Sequence, residues 1–79
     1  MFITTTQWDS TPTEELIAQF EAKSAELAGE FVSTKLLDRL PAGGVSATRT
    51  WPDQATADAW CAFVLGLGAT SAAAEPYTP

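Results

Sequence analysis

The chain of 79 residues contains 10 acidic and 4 basic residues, which gives a formal net charge of -6. Because affinity for nucleic acid depends largely on Lys and Arg side chains that neutralise phosphates, this composition argues against a nucleic-acid-binding protein. An apolar fraction of 46% is typical of a folded globular protein, and the length predicts one small domain whose core is only just sufficient. A second copy of the chain would help to bury apolar surface that one copy leaves exposed.

Cysteine usage and hydropathy indicate the compartment. Cys61 is a single cysteine, so no internal disulfide can form, and no run approaches the roughly 20 apolar residues of a membrane-spanning helix. The first residues lack the basic and apolar regions of a signal peptide. We therefore expect a cytoplasmic protein with no membrane partner.

The first eight residues are rich in β-branched and aromatic side chains and predict a strand. One face of this strand carries Phe2, Thr4, Thr6 and Trp8, and the other carries Ile3, Thr5 and Gln7. A helix is predicted next, with Thr11 as N-cap, Pro12 at the first helical position and Glu14 completing a capping box. Its apolar face is predicted from the helical spacing of Leu16, Ile17, Phe20, Leu27, Ala28 and Phe31, and Gly29 marks its end.

Residues 31–40 and 45–51 predict a β-hairpin around Pro41-Ala42-Gly43-Gly44. A two-residue turn at Gly43-Gly44 places Asp38 opposite Arg49, whereas a four-residue loop makes them diagonal neighbours. In both registers they share a face with Val32, Thr34, Leu36, Leu40, Val45, Ala47 and Trp51. The other face carries Ser33, Lys35, Leu37, Arg39, Ser46, Thr48 and Thr50. With a loop of three or five residues, Asp38 and Arg49 would instead lie on opposite faces.

Pro52 ends the second strand of the hairpin, and Asp53 is a natural N-cap for a second helix. This helix has an apolar face formed by Ala57, Trp60, Cys61, Val64 and Leu67, and it ends at Gly66 and Gly68. We predict a single domain over residues 1–68. Residues 69–79 form either a flexible tail or a short edge strand around residues 70–74.

The element order is therefore β-α-β-β-α, with an optional final strand, which predicts a ferredoxin-like α+β fold. A right-handed β-α-β crossover puts both helices on one face of an antiparallel sheet, with the third strand between the first and second. The other sheet face has no helices to cover it. If that face is apolar, a second copy would close it as a homodimer, whereas Lys35, Arg39, Ser46, Thr48 and Thr50 would make it a solvated face.

The segment Arg-Thr-Trp-Pro-Asp-Gln-Ala-Thr-Ala-Asp-Ala-Trp at residues 49–60 resembles the strand-to-helix segment of dimeric α+β barrel proteins. That group contains the antibiotic-biosynthesis monooxygenase-like domains. The chain as a whole also resembles small uncharacterised proteins encoded by marine cyanophages. The first resemblance implies the fold and the dimer, and the second implies a phage accessory protein in the cytoplasm of a host cell.

The residue types limit the chemistry. The chain has no histidine, which removes the commonest general base and metal ligand, so we expect no catalytic residue, no metal site and no cofactor. Arg49 and Asp38 could bind an anionic ligand or satisfy each other, and Trp8, Trp51 and Phe63 could line a pocket or an interface. Glu21, Glu26 and Glu30 lie largely away from the apolar helix face and could meet a basic protein.

These observations favour a small non-enzymatic protein-binding module that acts as a homodimer, with a host or phage protein as partner. The alternative is a small-molecule binder or a cofactor-free, oxygenase-like enzyme of the dimeric α+β barrel type. That alternative requires a pocket between sheet and helices near Arg49 and Trp51.

Overall fold

A computed structural model describes residues 1–9, 12–36 and 44–78, and for residues 34–36 it describes the backbone alone. The elements are β1 (Phe2–Trp8), α1 (Glu14–Glu26), β2 (Glu30–Leu36), β3 (Val45–Trp51), α2 (Gln54–Gly66) and β4 (Ser71–Pro76). The strands form one antiparallel sheet in the order β2-β3-β1-β4, with β3 between β1 and β2 as predicted. The predicted ferredoxin-like α+β fold is confirmed, including its optional final strand.

Strand β1 is internal to the sheet. It pairs with β3 from Phe2↔Trp51 to Trp8↔Val45, and with β4 from Phe2↔Pro76 to Gln7↔Ser71. Thr4, Thr6 and Trp8 are buried under the helices, whereas the residues between them are only partly buried on the open sheet face. The predicted alternation of β1 is confirmed.

The hairpin register differs from the prediction. Strand β2 pairs Leu36 with Val45 and Phe31 with Arg49, and a β-bulge between Phe31 and Ser33 inserts Val32 as an extra residue. This register differs from both predicted ones, which would pair Val45 with a residue later in the chain than Leu36. Arg49 is opposite Phe31, and its predicted neighbour Asp38 lies outside the described residues.

Helix α1 begins two residues later than the predicted capping box implies. The N-cap is Thr13, whose Oγ1 accepts a hydrogen bond from the Leu16 backbone N–H at 3.3 Å. The assignment of Thr11 as N-cap is therefore wrong, and Pro12 precedes the cap instead of starting the helix. Glu14 and Glu15 still occupy the first turn, where the helix dipole favours acidic residues.

Helix α2 begins where the sequence predicts. The Oδ1 atom of Asp53 accepts hydrogen bonds from the backbone N–H of Thr56 at 2.9 Å and from its hydroxyl at 3.0 Å. The cap fixes the direction in which the chain leaves β3, since Asp53 follows Trp51 by two residues.

The two helices end in the same way. Both span 13 residues and close with a Schellman motif. After α1, the Gly29 N–H donates to the Ser24 carbonyl at 2.8 Å, and after α2, the Ala69 N–H donates to the Val64 carbonyl at 3.0 Å. The left-handed position is Ala28 (φ 58) in the first case and Gly68 (φ 109) in the second.

The core between sheet and helices is a chain of aromatic rings. Ring centroids lie 5.1 Å apart for Trp8 and Phe20, 6.0 Å for Phe20 and Trp60, and 5.1 Å for Trp60 and Trp51. Ala57 and Val64 of α2 complete the buried cluster. Aromatic contacts therefore make up most of the packing of the two helices against strands β1 and β3.

Candidate functional site

Arg49 of β3 is the one charged residue that is buried within the described part of the chain, with 7% of its surface exposed. Its Nη1 donates to Ser24 Oγ at 2.9 Å, and its Nη2 donates to Glu21 Oε1 at 2.8 Å. Glu21 and Ser24 lie three residues apart on α1, which places both acceptors on the same side of the helix. A buried cation is thus compensated by two acceptors from one helix.

The guanidinium of Arg49 also lies between two aromatic rings. Its Cζ is 5.3 Å from the ring centroid of Phe31 and 5.2 Å from that of Trp60. Phe31 is directly opposite Arg49 in the sheet register, so the strand pairing itself brings this ring over the cation. Two such cation–π contacts help to hold the guanidinium in a site from which water is largely excluded.

This arrangement corrects the sequence interpretation of Arg49. Glu21, which was predicted to lie on a solvated acidic surface, is the ion-pair partner of Arg49. Ser24 was not predicted to be a site residue. A signal for Ser24 was present, because it falls between Phe20 and Leu27 on the predicted apolar face of α1. A serine at such a position requires a polar partner when the helix packs.

The predicted aromatic site residues lie in or against the core. Trp8 packs on Phe20, and Trp51 is 1% exposed with its Nε1–H donating to Thr4 Oγ1 at 2.8 Å. Phe63 is partly buried, with its ring 5.8 Å from Trp60 and 5.7 Å from Lys23 Nζ. The structure brings Arg49 and Trp51 together with Trp60, and it places Trp8 and Phe63 farther along the same aromatic cluster.

The surface formed by α1 and β2 carries acidic and apolar residues side by side. The side chain of Glu21 is 63% exposed, Glu26 forms an exposed ion pair with Lys23 at 3.1 Å, and Glu30 is exposed at the start of β2. The next two residues, Phe31 and Val32, are 54% and 51% exposed. We refer to Glu21, Glu30, Phe31 and Val32 as the β2-edge surface.

The open sheet face is polar. It presents mainly short side chains, and Thr5 lies opposite Thr48, Gln7 opposite Ser46 and Ile3 opposite Thr50. On β4 the same face continues through Ser71, Ala73 and Glu75. The described part of this face is therefore richer in hydroxyl groups than in apolar side chains, so a second copy packed on it would make a largely polar contact.

Reactive and metal-binding groups are sparse in the described ranges. Residues 1–9, 12–36 and 44–78 contain no group of three or more acidic or cysteine side chains arranged to hold a metal ion. Burial raises the pKa of the Cys61 thiol, and the Asp58 carboxylate adds to this shift. No helix in the described ranges is long and apolar enough to span a bilayer.

The architecture is similar to that of a solved structure, an ACT domain protein from Streptococcus pneumoniae. The superposition has a TM-score of 0.56 and covers 94% of this chain and 85% of that chain, at 15% sequence identity. This similarity shows the fold alone. No family model matches the sequence, and no curated protein matches it either.

Proposed function

We propose that the protein is a non-enzymatic protein-binding module that acts as a homodimer. The observation that supports this function is the contrast between the interior and the β2 edge. The buried cation Arg49 bonds to Ser24 and Glu21 of the same chain. The apolar side chains of Phe31 and Val32, by contrast, are half exposed on an edge strand. Exposed apolar residues grouped at one place favour an interaction surface.

The packing around Trp51 supports this function over the alternative of a small-molecule binder or oxygenase-like enzyme. Such a protein would need space for a ligand near Arg49 and Trp51. The indole of Trp51 instead contacts Trp60, bonds Thr4 and lies so close to Gly29 that an added Cβ would be 2.3 Å from Cζ3. These contacts favour a structural role for Trp51.

The second copy would pack on the open sheet face. Short side chains such as Thr5, Thr48 and Ala73 let a second sheet approach to about 10 Å, and the methyl groups of threonine together with Ile3 give that contact an apolar component. A two-fold axis through this face would make the contact self-complementary. The cyanophage resemblance adds that the further partner would be a host or phage protein in the host cytoplasm.

Light scattering across a dilution series tests the homodimer. We expect the wild-type chain to have twice the mass of the monomer, and Thr48→Glu to be monomeric because it puts a carboxylate at the centre of the face. Ala18→Glu adds the same charge at an exposed position of α1 and should leave the mass unchanged. A monomeric wild type, or a Thr48→Glu variant that stays dimeric, would refute this arrangement.

A further inference from the structure

Among the described residues, no strand pairs with the outer side of β2. In the described sheet, β2 is the terminal strand and pairs only with β3, so its outer backbone N–H and C=O groups are available to an added strand. The bulge at Val32 interrupts a regular ladder. A partner segment would therefore depend on side-chain contacts at the bulge as well as on backbone pairing.

The bulge also groups the apolar residues. Phe31 is opposite Arg49 of β3, and Val32 is the extra residue beside it, because the bulged strand supplies two residues where its neighbour supplies one. Phe31 is 54% exposed, yet its ring lies 5.3 Å from a guanidinium that is itself held by Ser24 and Glu21. The ring is thus positioned before any partner arrives, which lowers the entropic cost of binding.

The exposed charges beside these residues are negative, since the Arg49 cation is buried. Glu21 on α1 lies on the helix side with Phe31 through its bond to Arg49, whereas Glu30 is paired with Thr50 and lies on the open-face side of the same edge. On α1, the acidic residues Glu14, Glu15, Glu21 and Glu26 outnumber the single basic residue Lys23. Together with the net charge of -6, this distribution favours a basic partner over a second acidic copy of the chain at the β2 edge.

We propose that the β2-edge surface binds an extended, basic segment of a partner protein. An apolar side chain of the segment packs on Phe31 and Val32, and the next side chain along it, a Lys or Arg that points to the other side of the extended segment, meets Glu30. This inference rests on the proposed protein-binding function and specifies the surface and the chemical class of the partner. It leaves the open sheet face available to the second copy.

A titration of the full chain with two labelled peptides tests the proposal by fluorescence anisotropy. The probe is Lys-Val-Lys-Val-Lys-Val, and the control peptide is Glu-Val-Glu-Val-Glu-Val. We expect only the basic peptide to bind, and Glu30→Lys to weaken it by about tenfold because like charges then face each other. Glu75→Lys makes the same charge change on β4 at the other edge of the sheet and should weaken it by less than about twofold.

Val32→Thr tests the apolar contact with little effect on the strand, since threonine is also β-branched. We expect this variant to bind the basic peptide with several-fold lower affinity. Circular dichroism melting of each variant checks that it is folded. The proposal would be overturned if Glu30→Lys and Glu75→Lys weakened peptide binding equally, or if Val32→Thr bound the peptide as tightly as the wild type. A change of solution mass in Val32→Thr would also overturn it, since it would show a second copy at this edge. If the peptide does not bind while the wild type remains a dimer that Thr48→Glu dissociates, this inference fails and the homodimer stands.

Discussion

Replacing Gly29 by alanine gives the sharpest test of how α1 is seated on the sheet. A Cβ at this position would lie 2.3 Å from Cζ3 of Trp51 and 2.6 Å from both Cε3 and Cη2. These distances are far shorter than a van der Waals contact between carbon atoms, which is about 3.5–4.0 Å. Either the end of α1 or the indole of Trp51 has to move.

Neither movement is easily accommodated. The indole of Trp51 is 1% exposed, donates to Thr4 and packs on Trp60 at 5.1 Å. The end of α1 is held by the bond from the Gly29 N–H to Ser24, the residue that also accepts from Arg49. Inserting a methyl group into a well-packed core costs about 1–3 kcal/mol, and we expect about 2 kcal/mol for Gly29→Ala.

Urea unfolding followed by tryptophan fluorescence measures this cost. For a slope of about 1 kcal/mol per molar urea, the transition midpoint should fall by about 2 M, and the melting temperature by about 8–16 °C. Gly66→Ala is the matched control, because an added Cβ there meets no atom within 4 Å and alanine favours the helix. A Gly29→Ala variant as stable as the wild type would show that Trp51 is not packed against this turn.

Four further outcomes follow from the geometry. Ala28→Gly should stabilise the fold by about 0.5–1 kcal/mol in urea unfolding, since Ala28 has φ 58, and an unchanged midpoint would contradict this. Hydrogen bonds from the Thr56 backbone N–H and then from its hydroxyl hold the pKa of Asp53 below its ordinary value. Because this folded-state pKa is below the unfolded one, the stabilisation is present above the ordinary Asp pKa and is lost as pH falls through the folded value. The urea midpoint of the wild type relative to Asp53→Asn should therefore drop in acid, and a constant difference would refute this. Burial raises the pKa of Cys61, so its alkylation by iodoacetamide at neutral pH should be several-fold slower than that of free cysteine and should speed up in urea. Arg49→Lys should lower the free energy of unfolding by about 2 kcal/mol in the same urea assay. One ammonium group cannot replace a planar guanidinium that bonds two acceptors and lies between two rings. A decrease of less than about 0.5 kcal/mol would show that these contacts of Arg49 contribute little to stability.

The parts of the fold that local sequence determines were predicted. The alternation of β1 requires only neighbouring residues, and the cap of α2 requires only Asp53 and the next three residues. The strand order then follows from the handedness of the crossover. Thr11 and Thr13 are both suitable caps, so the choice between them depends on how α1 packs and not on the cap itself.

The hairpin register and the partners of Arg49 depend on distant parts of the chain. The Gly43-Gly44 pair is a strong turn signal, but the observed pairing of Leu36 with Val45 is set by the whole strand and includes a bulge that no turn rule predicts. Arg49 and Glu21 are 28 positions apart, and their contact requires α1 to be placed first. Which side chains contact each other between different helices and strands could therefore not be predicted from this sequence.

The internal position of β1 has a consequence for synthesis on the ribosome. One neighbour, β3, follows it by more than 30 residues, and the other, β4, is made only after α2. The pairing extends to the Tyr77 N–H, which donates to the Met1 carbonyl at 3.0 Å. Until Ser71–Pro76 emerges, one edge of β1 remains open, so the nascent chain exposes a threonine-rich strand to other chains. The sheet is therefore complete only after Ser71–Pro76 has emerged and paired with β1.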